Sequence, residues 1–280
     1  MKLCSFIADG RASFGLVTES GIVDLGRRLG FASLRDLLAA DALDSARACA
    51  GFPVDYAFDA VDHAPVIPNP EKIYCVGLNY RDHVEETGNV ETPHPTLFAR
   101  YPASQVGHNQ PMIKPRESDM FDYEGELALI IGKGGRRISV DNALSHVAGY
   151  ACYNEGSVRD YQRHTAQYLP GKTFMGTGGF GPWMVTADEI PDPSTLHLQT
   201  RVNGQVLQDS SLKLLITPIP QIIAYASTMI PLVPGDVIVT GTPGGVGSRR
   251  TPPIWLRDGD LCEVEISGIG VLRNRVVAEA

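Results

Sequence analysis

Two glutamates separated by one glycine open an apolar run at Asp122-Tyr123-Glu124-Gly125-Glu126-Leu127-Ala128-Leu129-Ile130-Ile131. In a strand, side chains two positions apart share a face, so Glu124 and Glu126 point one way and Leu127, Leu129 and Ile131 the other. Carboxylates a few ångströms apart resist ionising together unless a cation lies between them. Gly125 leaves the opposite face bare, which suits a bulge or a close backbone approach. An exposed acidic strand edge would look the same, so the pair alone decides nothing. A third acid, Glu155, ends the apolar run Tyr150-Ala151-Cys152-Tyr153-Asn154-Glu155. A carboxylate at the end of a buried strand is costly unless it is paired or ligates a metal. Three oxygen donors suit a hard ion, Mg²⁺ or Mn²⁺ (or Ca²⁺ in a crystal), better than Zn²⁺. Pairing of Glu155 with Arg159 is the structural alternative.

A second set of residues could move protons. In Gly77-Leu78-Asn79-Tyr80-Arg81-Asp82-His83-Val84-Glu85-Glu86, a helix beginning after Asn79 places His83 and Glu86 one turn apart on the same face. A carboxylate beside an imidazole fixes its tautomer and raises its basicity, making a water-activating dyad, although a solvated charge cluster has the same spelling. Lys172 lies in Pro170-Gly171-Lys172-Thr173-Phe174 and Thr242 in Gly241-Thr242-Pro243-Gly244-Gly245-Val246-Gly247. Glycine-rich loops let backbone amides approach an anionic ligand, but the second loop lacks the GK[ST] ending of a nucleotide-binding loop, so ATP is not implied. The bland reading makes Lys172 solvent-facing and Gly178-Gly179, Gly181 and Gly244-Gly245 simple turns.

Composition narrows the class of protein. The chain has 280 residues, 43% of them hydrophobic and 20% charged, which is ordinary globular usage. Its formal charge is −8 and Lys/Arg residues run no longer than pairs, which argues against nucleic acid and against anionic membranes as partners. No apolar stretch approaches the roughly eighteen residues of a spanning helix, and the apolar run at the N-terminus is too short for a signal peptide, with Asp9 and Arg11 following at once. Five scattered cysteines without a CxxC pair suit reduced thiols, with Cys152 and Cys262 as small core residues, so a cytoplasmic location is expected.

The elements that must position these residues are mostly strands. A small N-terminal α+β unit is expected over residues 1–68, with strands at Leu3–Ile7, Phe14–Val17 and Gly21–Leu25. A helix should be opened by the capping-box-like Ser33-Leu34-Arg35-Asp36, with Leu34, Leu37 and Leu38 on one face. Three prolines within Pro65–Pro70 mark a linker. Over residues 69–280, strands are expected at Ile73–Val76, Glu124–Ile131, Val147–Tyr153, Asp236–Thr240, Leu261–Ile266 and Gly270–Val277. Leu196–Val202 and Gln205–Leu207 should form a hairpin through Asn203-Gly204. Pro218–Ile230 reads as an amphipathic helix with Ile219, Ile222, Ile223, Ala226 and Ile230 on its buried face. The fold class is β-rich α+β.

Taken in order, GLNYRDHVEE (77–86), DYEGELA (122–128), NEGSVRDYQ (154–162), GKTF (171–174), GPW (181–183), VNG (202–204) and PGDVIVTGTPGGVG (234–247) resemble the fumarylacetoacetate hydrolase family. The resemblance covers residues 69–280 and implies a roll of mixed β-sheets as the catalytic domain, a homodimer, and Mg²⁺ or Mn²⁺ held by Glu124, Glu126 and the residue at 155. It further implies His83 and Glu86 as the dyad on a mobile lid, Lys172 and Gln162 against the developing oxyanion, and Thr242, Arg159 and Gly241 as substrate-binding positions. The family usually carries Asp where Glu155 stands, a change for which Gly156 could supply slack, and Arg100-Tyr101-Pro102 replaces a family Lys-Pro-Pro. The expected activity is hydrolysis of a C–C bond in an acylpyruvate or related oxo acid, in catabolism of aromatic or sugar-derived acids. Decarboxylation, or isomerisation and tautomerisation, on the same metal-enolate platform is the alternative, and a catalytically lapsed carboxylate-binding protein is the alternative of another class.

Overall fold

The computed structural model describes residues 1–280. Its spine is an eleven-stranded mixed sheet. Along the main path the strands run Gly21–Asp24, Arg11–Thr18, Lys2–Ala8, Gly178–Thr186, Val147–Glu155, Gly125–Ile131, Val237–Val239, Ile73–Gly77 and Thr96–Arg100. A second, five-stranded sheet of Gln205–Ser211, His197–Val202, Leu261–Ile266, Gly270–Ala278 and Met112–Lys114 packs against it. Most neighbours are antiparallel, but Val237–Val239 runs parallel to Ile73–Gly77. Asn203 and Gly204 both have positive φ, 50° and 79°, as the two-residue hairpin turn requires.

The central strand Gly125–Ile131 is buried on both faces. Leu127, Leu129 and Ile131 point into a core shared with Ile219, Ile222, Ile223 and Ala226 of the helix Ile219–Met229 and with Leu198, Val264 and Ile266 of the second sheet. Ala128 and Ile130 point the other way, into a core shared with Leu3, Phe14, Leu34, Leu37 and Phe180. Each large aliphatic side chain buried there contributes about 1.5–3 kcal/mol. Ile230 is not part of the buried helical face. The helix ends at Met229 and Ile230 is extended and 45% exposed.

The first sixty residues do not stand apart. Lys2–Ala8 pairs with Gly178–Thr186 of the central sheet, Ser33 caps its helix as expected by accepting from the Asp36 N–H, and Leu34, Leu37 and Leu38 of that helix seal one face of the sheet. The proline-rich segment is irregular yet anchored, since Val66 and Ile67 are buried and the Val66 carbonyl accepts the Ser5 hydroxyl at 2.8 Å. Leu3, Phe14, Leu34 and Leu37 from before residue 68 thus share one cluster with Ile130, Tyr153 and Phe180 from after it. Gly178-Gly179 and Gly181, turns only in the bland reading of the sequence, lie in a nine-residue central strand that begins at Gly178. The glycines are there for space, because a Cβ on Gly179 would lie 2.5 Å from the Asn274 Oδ1 atom and one on Gly178 2.9 Å from an Arg100 nitrogen.

Candidate active site

The two strands carrying the acids are neighbours. Gly125 lies opposite Asn154 and Glu126 opposite Tyr153 in an antiparallel register, and the Glu155 N–H donates to the Glu124 carbonyl at 2.7 Å. Glu124 and Glu155 therefore face each other across the pair, with Glu126 two residues along on the same side. All three are buried, and one oxygen from each lies within 4.8 Å of the other two. Gly125 lets the second sheet close over this point. A Cβ there would meet the Thr200 hydroxyl at 2.0 Å, and the Gly125 N–H donates to Gln208 Oε1 at 2.9 Å.

Two buried cations attend the cluster. Lys172 Nζ donates to Glu124 Oε2 at 2.6 Å and to Glu155 Oε2 at 3.1 Å. Its position is set by the single turn Leu169–Lys172, where Gly171 passes so close to Gln162 that a Cβ would lie 2.3 Å from the Gln162 nitrogen. Far from facing solvent, Lys172 is 2% exposed. Arg159 bridges Glu124 Oε1 at 2.6 Å and Asp122 Oδ2 at 2.8 Å. The alternative Glu155–Arg159 pair does not form, because Arg159 turns to Asp122 and Glu124 while Glu155 is served by Lys172 and, at 3.9 Å, by Arg100.

Burial pushes the Glu124 carboxyl up, but Arg159 and then Lys172 outweigh it and bring it down to about 2. Burial pulls Lys172 down, and Glu124 with Glu155 more than reverses this, so it stays firmly cationic. Glu126 is different. Burial, then the charges of Glu155 and Glu124, push it well above the ordinary carboxylate range, against which the charge of Lys172 and then the Gly241 N–H at 2.5 Å act without prevailing. Glu155 Oε1 is buried with no hydrogen-bond partner. Three converging oxygens, one unpartnered and one on an acid reluctant to ionise, form a donor set that fits a hard divalent cation.

The dyad sits at the same cavity. Arg81–Thr87 is a helix, and His83 Nδ1 donates to Glu86 Oε1 at 2.8 Å. This helix is docked on the glycine loop, with the Gly244 N–H donating to Asp82 at 3.1 Å and the Gly245 N–H to Glu86 at 2.9 Å. Burial raises the Glu86 carboxyl, but His83 and then Gly245 more than compensate and hold it below its usual value. The cavity measures about 260 Å³, with His83, Glu124, Glu126, Glu155, Lys172 and Thr242 among its lining residues. That is below the roughly 300–1,000 Å³ of drug-sized pockets and suits a metabolite of a few carbons.

Other positions fall differently. Gln162 also lines the cavity, its Oε1 accepting from Arg159 at 2.9 Å. The Thr242 hydroxyl donates to the Gly125 carbonyl at 3.0 Å and accepts from Gln208 at 2.7 Å. Gly241 does not line the cavity. Its amide holds Glu126, and its φ of 104° with Asn79 packed against it leaves no room for a side chain. Gly156 is likewise a packing position, since a Cβ would lie 2.0 Å from the Thr177 carbonyl, and its own carbonyl accepts from Arg100 at 3.0 Å.

Three supporting residues carry no role in the sequence reading. Asp122 holds Arg159 and accepts the Gly247 and Ser248 amides at 2.8 and 2.9 Å. Its place two residues before Glu124 was the available signal. Arg100 is buried between Ser104, Gly156 and Thr177, and the departure from Lys at this position pointed to it. Gln208 joins Gly125, Thr242 and Pro243, and nothing local in the sequence distinguishes it from an ordinary strand glutamine.

A mixed-sheet roll with a buried triad of acids, a lysine among them and a histidine dyad at the mouth defines a class of enzyme. Residues 72–277 match the model of the fumarylacetoacetate (FAA) hydrolase C-terminal domain. The chain belongs to the fumarylacetoacetate hydrolase family. It is 44% identical over 214 residues to the mitochondrial oxaloacetate tautomerase fahd2 of Xenopus laevis, covering 75% of this chain and 67% of that one. It is 43% identical over 219 residues to the oxaloacetate tautomerase YisK of Bacillus subtilis, covering 76% and 72%. Maleylpyruvate hydrolase from Sphingobium, solved in complex with manganese(II) and pyruvate, superimposes over the full length of both chains with a TM-score of 0.84 at 28% identity. No helix is long and apolar enough to cross a membrane.

Proposed function

We propose that this chain is a divalent-metal-dependent tautomerase that interconverts the enol and keto forms of a small 2-oxo acid, with oxaloacetate as the first substrate to test. The names of its relatives favour this reading over the hydrolytic cleavage expected from sequence. The structural observation that supports proton transfer on an enolate here is that His83, bonded to Glu86, lines the same small cavity as the three acids. Glu124, Glu126 and Glu155 would hold the ion, which when bound supplies a Lewis acid that steadies an enolate.

Ketonisation breaks one O–H bond and forms one C–H bond, and consumes no water. With Nδ1 committed to Glu86, His83 has Nε2 free to take the enol hydroxyl proton and return it to C3. Lys172, kept cationic by Glu124 and Glu155, balances negative charge on the substrate oxygen. Arg159, Gln162 and Thr242 form the walls that orient the acid. Decay of the enol absorbance of oxaloacetate, with Mn²⁺ and then with excess chelator, tests the proposal. Acceleration above the spontaneous rate that chelator abolishes supports it. Label from H₂¹⁸O appearing in a released acid from an acylpyruvate, without enol turnover, would instead establish hydrolysis.

A further inference from the structure

Four Arg or Lys side chains line the cavity: Arg159, Arg163, Lys172 and Arg249. Arg159 and Lys172 are committed to Asp122, Glu124 and Glu155. Arg163 and Arg249 are not. No carboxylate lies within 4 Å of either guanidinium, and Arg249 gives one N–H to the Thr87 carbonyl at 3.0 Å. The acids lining the cavity, Glu124, Glu126 and Glu155, are the triad itself. Partial desolvation, then the charges of Arg249 and Arg159, lower the proton affinity of Arg163 against smaller opposing pulls from Asp122 and Asp160, so these guanidiniums feel one another. Beside them, Arg159 Nη2 is buried without an acceptor. On a chain of net charge −8, two neighbouring guanidiniums with no carboxylate in ion-pair range point to an anion that visits.

We propose that Arg163 and Arg249 form an anion subsite at the cavity mouth that takes the distal carboxylate of a dicarboxylic 2-oxo acid, while the oxo-acid end lies at the triad. The subsite rests on the reading of this cavity as a 2-oxo-acid site. It makes the two arginines specificity residues: they select a dianion over a monoanion of the same length. Both side chains are exposed, so the preference weakens as salt is added.

The test is calorimetric binding of oxaloacetate and of its 4-methyl ester to Mn²⁺-loaded protein, for the wild type, Arg163→Gln, Arg249→Gln and the double variant. The wild type should bind the dianion at least tenfold more tightly than the ester. Each single substitution should cut that ratio several-fold and the double bring it near one, with the ester's affinity held within about twofold. Equal affinity for both ligands in the wild type overturns the subsite. So does a parallel loss for both ligands in the variants, which is what loosening of the Arg81–Thr87 helix from Arg249 would produce. Selective binding of oxaloacetate without enol turnover would sink the tautomerase reading and leave the subsite standing, whereas binding of neither ligand would remove both.

Discussion

Replacing Lys172 by methionine tests whether the lysine is the resident counter-charge of the acid triad. Its ammonium is 2.6 Å from Glu124 and 3.1 Å from Glu155, and the residue is 2% exposed. The substitution keeps most of the volume but leaves facing carboxylates with Arg159 and the more distant Arg100 as their cations. Removing one partner of a buried ion pair typically costs about 3–5 kcal/mol. For a chain of this length each kcal/mol moves the Tm by roughly 2 °C, so chelator-treated Lys172→Met should melt about 6–10 °C below wild type. Mn²⁺ should then restore more to the variant than it adds to the wild type, because the ion no longer shares Glu124 and Glu155 with an ammonium. Mn²⁺ at a hundredfold over its Kd contributes about 2.7 kcal/mol, enough to recover much of the loss. Differential scanning calorimetry with and without Mn²⁺ reads both effects. An unchanged Tm in chelator, or a smaller Mn²⁺ shift than in wild type, would refute the reasoning.

Substitution His83→Gln should lower enol turnover about 10²–10⁴-fold while leaving Mn²⁺ affinity within a few-fold, because the imidazole moves protons and is not among the ligands. Metal uptake should release protons. Glu126 is held well above the ordinary carboxylate range by burial and then by Glu155 and Glu124, so its contribution to apoprotein stability is complete below that range and is lost as pH rises through the raised value. Calorimetry in two buffers of different ionisation enthalpy should therefore show proton release on Mn²⁺ binding that fades as pH rises through that raised value, and no release at any pH at which the protein stays folded would contradict it. Gly156→Ala should destabilise by roughly 1–3 kcal/mol by chemical denaturation, because its Cβ would sit 2.0 Å from the Thr177 carbonyl.

The local signals in the sequence were those whose physics is local. The alternation from Glu124 to Ile131 assigned both faces of the central strand correctly, and the spacing of His83 and Glu86 placed their hydrogen bond. What stayed hidden depended on distant partners. Gly178–Gly181 admits a turn until Asn274 and Arg100, far away in sequence, are seen to need the space a side chain would fill. Ile230 fits the helical period, but the helix stops one residue before it. Arg159 lies four residues after Glu155 and is the alternative partner that spacing allows, yet the strand end turns it towards Asp122 and Glu124 and gives Glu155 to Lys172. The choice between hydrolysis and tautomerisation was not legible at all, since both use the same acids and the same dyad.

The central claim is that Glu124, Glu126 and Glu155 together bind one divalent cation. Titration of metal-free protein with Mn²⁺, followed by the loss of the free-ion signal in electron paramagnetic resonance, measures this directly. The account predicts one strong site per chain, lost in Glu126→Gln and in Glu155→Gln while both variants remain folded. Wild-type protein that leaves Mn²⁺ free in solution, or folded variants that bind it as well as wild type, would contradict it.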